Sequence, residues 1–253
     1  MGLFSKKQCD ICNGKIGMLG NRKLEDGNCC KDCASQLSPF FSERRKSTVA
    51  DINEQLEYRE KNKEAVAAFN TTKTLGLVTK VYLDEDAGKF AVSGAKRLAD
   101  GNPDILDFSQ VTGCNVEVQE SSKELKRKMP DGKEVSFTPP KYKYTFTHYM
   151  VIHVNSPYFN EIKFPLSKSV EVETTGARNA MTGTADIGRK SNEYRQAEAL
   201  GNEIKTALTR VRQNVRTTVA AKPKVAQICP LCSASCIPDA QGCCEYCGGA
   251  MLA

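Results

Sequence analysis

The chain has no tryptophan, only two histidines among 253 residues, and no apolar run long enough to span a bilayer. Each absence excludes something. Neither His148 nor His153 sits in a recognisable triad pattern, so the acid–base devices built on histidine have little to draw on. Nothing approaches the roughly 18 apolar residues that a spanning helix needs, so no transmembrane segment is expected. The opening "MGLFSKKQCD" lacks the apolar core of a secretory signal. Lys6 stands where a myristoylation signal at Gly2 requires Ser or Thr. A cytoplasmic location is the expectation. Also missing are a phosphate-cradling P-loop, a dinucleotide fingerprint, a nucleophile elbow and a metalloprotease motif. The expectation is a protein that binds rather than catalyses.

What the chain has in abundance is cysteine, twelve in all. Five lie between Cys9 and Cys33, six between Cys229 and Cys247, and Cys114 stands apart from both groups. The two ends carry four CxxC pairs: Cys9/Cys12, Cys30/Cys33, Cys229/Cys232 and Cys244/Cys247. Seventeen residues separate the first two pairs and eleven the last two. Two such knuckles joined by a loop can present four thiolates tetrahedrally to Zn²⁺. A thioredoxin-like CxxC would need a βαβ setting that neither end offers, and disulfides would need an oxidising compartment. Two structural zinc ions per chain are therefore expected. The spacing leaves Cys29, Cys236 and Cys243 over. Cys29 and Cys243 each precede a better-placed ligand, so a one-residue change of register stays open.

Between the ends the hydrophobic period changes twice. "STVADINEQLEYREKNKEAVAAF" reads as a helix capped by Ser47 or Thr48, with Val49, Ile52, Leu56, Val66 and Phe69 on one stripe. That stripe breaks at Arg59 to Lys63, which predicts a largely solvated helix. "LGLVTKVYLDEDAGKFAVSG" predicts two strands joined at Asp84 to Gly88, and "DILDFSQVTGCNVEVQE" two more about Gly113. In "KYKYTFTHYMVIHVN", Tyr142, Tyr144, Phe146, His148, Met150, Ile152 and Val154 alternate with more polar residues, predicting a strand with one buried face. "YFNEIKFPL" supplies another strand, ended by Pro165. The Thr- and Gly-rich stretch from Thr174 to Asn192 is a predicted loop. Tyr194, Ala197, Leu200, Ile204, Leu208, Val211 and Val215 then hold one face of a long amphipathic helix.

"KKQCDICNGKIG", "NRKLEDGNCCKDC" and "LSPFFSERRKSTVADI" resemble an uncharacterised bacterial zinc-ribbon family over about residues 1–55. "CPLCSASCIPDAQGCCEYCGG" is similar to C-terminal zinc ribbons of many bacterial proteins, with Ser233 where glycine is usual. "ILDFSQVTGCNVE" and "VNSPYFNEIKFPL" resemble a bacterial pleckstrin-homology-like domain. The resemblance implies an α+β fold: an antiparallel sheet or barrel of pleckstrin-homology-like type, capped by a C-terminal helix and flanked by two small ribbons. The expected division is ribbon 1–46, connecting helix 47–70, sheet-and-helix domain 71–216, linker 217–227 and ribbon 228–253. None of these likenesses implies a catalytic residue.

Two basic clusters are candidate anion sites. Arg44, Arg45 and Lys46 flank the first ribbon, and Lys123, Lys126, Arg127 and Lys128 precede the turn Pro130-Asp131-Gly132. With a net charge of only +6, nucleic acid or anionic lipid is a permitted partner rather than a required one, and solvated charge explains the second cluster equally well. His148, on the apolar side of its strand, and Cys114 read as structural residues. The leading expectation is a non-enzymatic zinc-binding adaptor or scaffold that recognises protein. Nucleic-acid binding through the ribbons and basic loops is the alternative, and a thiol–zinc redox sensor is a third.

Overall fold

The computed structural model describes residues 7–176, 188–221, 227–229, 232–237 and 244–247, with backbone only for 212–221 and 227. The chain divides into two compact units, residues 1–212 and 213–253. Cys243, most of the predicted Thr/Gly loop, residues 222–226 of the predicted linker, and the side chain of Val215 lie outside what is described.

The first unit begins with a small hairpin, β1 (Arg22–Lys23) and β2 (Asn28–Cys29), followed by the short helix α1 (Lys31–Gln36). Helix α2 (Val49–Ala68) starts at Thr48, whose hydroxyl accepts from the Asp51 amide while the Asp51 carboxylate accepts from the Thr48 amide. That reciprocal cap satisfies two donors that the first turn would otherwise leave unpaired. Leu24, Ile16, Leu37 and Ile52 form a buried cluster with Cys9, Cys29 and Cys33, and Val49, Leu56 and Phe41 pack around it. The ribbon thus borrows its core from α2.

Two antiparallel four-stranded sheets follow. The first is a meander of β3 (Lys73–Gly76), β4 (Lys80–Asp84), β5 (Lys89–Ser93) and β6 (Leu106–Asp107), with the short helix α3 (Leu98–Gly101) between the last two strands. Three strands therefore stand where the alternation predicts two, because Gly76, at φ 104°, turns the chain tightly between β3 and β4. The second sheet is built on a long hairpin, β7 (Val111–Lys128) and β8 (Glu134–Val154). Strands β9 (Glu161–Pro165) and β10 (Val170–Thr175) both pair with β8, β9 with its second half and β10 with its first. The expected alternation in β8 holds from Tyr144 onward, where Tyr144, Phe146, His148, Met150, Ile152 and Val154 are buried; Tyr142 is half-buried, and Val151 on the opposite face is buried as well. The fold is α+β with antiparallel sheets. Among the described residues no sheet closes, so the barrel alternative is corrected: β7 and β6 remain edges.

Helix α4 (Asn192–Ala221) packs across the second sheet through Tyr194, Ala197, Ile204 and Leu208. Gly201 makes the close approach, since a Cβ there would run into Val116 and Leu166. The Tyr194 ring meets Phe146 edge-on at 5.3 Å and His148 at 4.4 Å. Lys73–Glu203 and Arg210–Glu85 ion pairs tie the same helix to the first sheet.

The broken stripe of α2 is a correction. Gln55, Arg59 and Asn62 are buried, so the helix continues its inward face with polar side chains. Arg59 reaches Asp104 at 2.9 Å, its Nε donates to the Gln36 carbonyl at 3.2 Å, and Asn102 completes its partners. Asn62 donates to Pro103 O at 2.8 Å and accepts from the Ile105 amide at 3.0 Å. The Phe40 ring lies tilted against Phe159, and Tyr58 against Tyr158. The first ribbon, α2 and the sheets are one body.

Candidate metal centres

Cys9 and Cys12 lie in a tight turn. The Asn13 amide donates to Cys9 O at 2.9 Å, the Cys9 amide to Gly14 O at 2.9 Å, and Gln8 bridges Lys15 behind them. The other end repeats this residue for residue. The Ser233 amide donates to Cys229 O at 2.9 Å, the Cys229 amide to Ala234 O at 2.8 Å, and Ile228 pairs with Ser235. The fifth residue of each turn is left-handed, Asn13 at φ 58° and Ser233 at φ 57°. This is why glycine is usual where Ser233 stands.

The second half of the first site comes from a helix start. Cys30 is the N-cap of α1, and its sulfur accepts from the Cys33 amide at 3.3 Å. The Cys30 amide donates in turn to the Cys9 sulfur at 3.2 Å. The Sγ atoms of Cys9, Cys12, Cys30 and Cys33 all lie within 4.8 Å of one another, and so do those of Cys229, Cys232, Cys244 and Cys247. The shorter separations include Cys9–Cys33 at 4.0 Å, Cys12–Cys30 at 3.8 Å, Cys229–Cys247 at 3.6 Å and Cys232–Cys244 at 3.7 Å.

The donor set fits zinc. Four soft thiolates at tetrahedral edge lengths suit Zn²⁺, and the amide donors at Cys9 and Cys30 stabilise charge on sulfur. Burial raises the pKa of Cys9, but the Cys12, Cys30 and Ile11 amides outweigh it and hold the thiol at about 6. Cys244 is likewise brought down to about 6, the Cys247 and Tyr246 amides overcoming burial. Cys33 is pushed up, by burial and by its neighbouring sulfurs. Cys232 goes to about 12, where hydrogen bonding with Cys247 and burial outweigh the Ala234 amide. Each group thus holds one acidic thiol beside a reluctant one. A bound zinc ion supplies the positive charge that lets all four ionise together and pins the two halves of each site.

Of the three spare cysteines, Cys29 and Cys236 lie among the described residues and Cys243 does not. Cys30, not Cys29, joins the first group. Cys29 is fully buried on β2, and burial together with Cys9 and Cys30 raises it to about 11. Cys236 lies on β12 (Ser235–Cys236), which pairs with β11 (Gln227–Ile228), and its sulfur is 3.4 Å from that of Cys244. Cys114, half-buried on β7, is raised to about 12 by burial, against the pull of Lys205.

The basic candidates separate. Arg44 and Arg45 line an open groove of about 820 Å³ with Asn21, Arg22, Lys23, Leu24 and Glu25. Lys46 pairs with Glu43 at 2.8 Å and does not line the groove. Arg22 and Lys23 were missed because they sit twenty residues upstream, brought across by the β1–β2 hairpin. Lys123, Lys126, Arg127 and Lys128 are exposed on the far half of β7, where strand alternation sends Arg127 to the face opposite Lys126 and Lys128. His148 is buried with neither ring nitrogen hydrogen-bonded among the described residues. His153 meets Asn115 at 3.1 Å and lies 4.0 Å from Glu161.

No helix among the described residues is long and apolar enough to cross a membrane. No match to the chain is found among curated proteins or among solved structures. Residues 7–55, from the first knuckle into the first turns of α2, match a family described as a domain of unknown function (DUF4428).

Proposed function

We propose that this chain is a non-enzymatic, zinc-stabilised adaptor of the bacterial cytoplasm, with a pleckstrin-homology-like middle domain between two structural zinc ribbons. The observation that carries the reading is the composition of the two sulfur groups: every one of the four positions is a cysteine. A catalytic zinc keeps one position for water or substrate, and an all-thiolate foursome has none to spare. Two antiparallel four-stranded sheets followed by a long helix packed across them support the pleckstrin-homology-like assignment. Capture from cell lysate on the intact, zinc-loaded chain should enrich a small set of proteins that the chelator-treated chain loses. Equal recovery by both forms would sink the adaptor reading.

A second reading has one observation in its favour. The Cys236 sulfur, 3.4 Å from that of Cys244, puts a fifth thiol beside the C-terminal group. A peroxide could take two electrons from this pair: its O–O bond breaks as the S–S bond forms, and the Cys236 proton with one proton from solvent completes two waters. Zinc would then lose one ligand. One equivalent of peroxide should release one zinc from the native chain and none from Cys236→Ala. Retention of both ions by the native chain would end the sensor reading.

A further inference from the structure

The groove beside the first ribbon has an apolar neighbour. Met18 and Leu19 occupy the two central positions of the turn closed by the Gly20 amide on Gly17 O, and they are 92% and 89% exposed. Arg22 ties that turn to the groove, since its Nη1 donates to the Leu19 carbonyl at 3.1 Å. Arg44 is anchored across the groove by donating to the Lys23 carbonyl at 2.6 Å. Burial lowers the pKa of Arg44, Cys29 raises it, and the charges of Arg45 and Arg22 lower it again, so the cations crowd one another. Among the described residues none of Arg22, Lys23, Arg44 and Arg45 makes an ion pair, and Glu25 is the one acid in the groove lining. A site of this kind is short of anions.

We propose that this rim of the first ribbon docks on an anionic phospholipid surface. Phosphate-bearing headgroups enter the groove between Arg22, Lys23, Arg44 and Arg45, while Met18 and Leu19 sit in the interfacial layer. Charge alone fits a nucleic acid equally well. The apolar pair decides between them: two fully exposed large side chains at a turn tip gain by leaving water at a bilayer interface and gain nothing along a phosphodiester backbone. The groove lining also contains no aromatic ring on which a base could stack. Cations near an anionic leaflet and a shallow apolar insertion are each weak, and membrane attachment takes two such signals together.

The test is co-sedimentation of the full-length, zinc-loaded chain with vesicles of phosphatidylcholine alone or with one-third phosphatidylserine. Binding should require phosphatidylserine and weaken with salt. Lys23→Glu/Arg45→Glu, both exposed side chains, should reduce it by roughly 25-fold or more, at about fivefold per cation. Met18→Ser/Leu19→Ser should reduce it by about tenfold at unchanged charge. Lys168→Glu, a charge reversal outside the groove lining, controls for net charge. Two zinc ions in each variant show that the ribbon stays folded. No sedimentation with anionic vesicles at low salt overturns the proposal. So does binding indifferent to Met18 and Leu19, or a duplex oligonucleotide that binds more tightly than the vesicles and is lost only on charge reversal. The inference goes beyond the adaptor reading, because protein capture that survives loss of vesicle binding leaves that reading in place.

Discussion

Arg59 on α2 and Asp104 between α3 and β6 form an ion pair of 2.9 Å in which both side chains are almost wholly shielded, 7% and 1% exposed. Ser38, at the end of the first ribbon, donates its hydroxyl to the other Asp104 oxygen at 2.7 Å. Three parts of the chain meet at one carboxylate. Removing one partner of such a pair leaves an uncompensated charge, which costs about 3–5 kcal/mol. Asp104→Asn and Arg59→Met should each lower the urea midpoint of the zinc-loaded protein accordingly. The double variant Arg59→Met/Asp104→Leu should recover much of that loss. Additive losses in the double variant would show that the two side chains stabilise the fold independently.

Much of this was legible in the sequence, and the reasons are local. The CxxC spacing identifies the metal groups because each knuckle is a self-contained turn. The alternation in β8 and the 3.6-residue period of α4 follow from one buried face each. What escaped is long-range. Arg59 and Asn62 look solvent-facing by composition, and their partners, the Gln36 carbonyl and the segment from Asn102 to Ile105, lie more than twenty residues away on either side. Arg22 and Lys23 join Arg44 and Arg45 through hairpin geometry that no spacing rule encodes. The curvature that decides between a closed barrel and open sheets leaves no mark in a two-residue period.

The sulfur geometry makes a counting prediction. Metal analysis should find two zinc ions in the native chain, one in Cys12→Ser and one in Cys232→Ser. Cys29→Ala should keep both and lose about 1 kcal/mol of stability for its buried sulfur. A Cys29→Ala protein that holds one ion, with two in Cys30→Ser, would shift the register by a residue.

The extent of unfolding in those variants is a separate matter. Hydrogen exchange in Cys232→Ser should rise only after Gln213, where the second compact unit begins. In Cys12→Ser the rise should extend into α2, because Val49, Ile52 and Leu56 rest on the ribbon core. Protection of α2 unchanged from native would show that the helix is held by Arg59, Asn62 and Tyr58 alone.

His148 makes a pH-dependent contribution. Burial lowers its pKa, the Glu198 carboxylate pulls the other way, and the Tyr194 ring covers one side. The folded chain therefore resists a proton that the unfolded chain accepts below about pH 6.5. Unfolded protein binds more protons in that window, so stability is greatest above pH 6.5 and declines as pH falls toward the folded value. The contribution to the slope is at most about 1.4 kcal/mol per pH unit. Equilibrium unfolding from pH 7.5 to 5.5 should show a shallower decline in His148→Phe than in the native protein. Parallel profiles would mean that His148 is protonated inside the fold.

The two left-handed knuckle positions should respond unequally to glycine. A non-glycine residue there carries a steric cost of roughly 1–2 kcal/mol, which asparagine offsets in part and serine does less well. Ser233→Gly should therefore strengthen the C-terminal site more than Asn13→Gly strengthens the N-terminal one. The gain is limited by the larger entropy that glycine loses on folding, about 0.5–1 kcal/mol. Competition against a chromophoric chelator reads this directly, with each site isolated by Cys12→Ser or Cys232→Ser in the other ribbon. The expected order is a several-fold rise in zinc affinity for Ser233→Gly and little change for Asn13→Gly. The reverse order would mean that the Ser233 hydroxyl contributes an interaction at the knuckle worth more than the strain it accompanies.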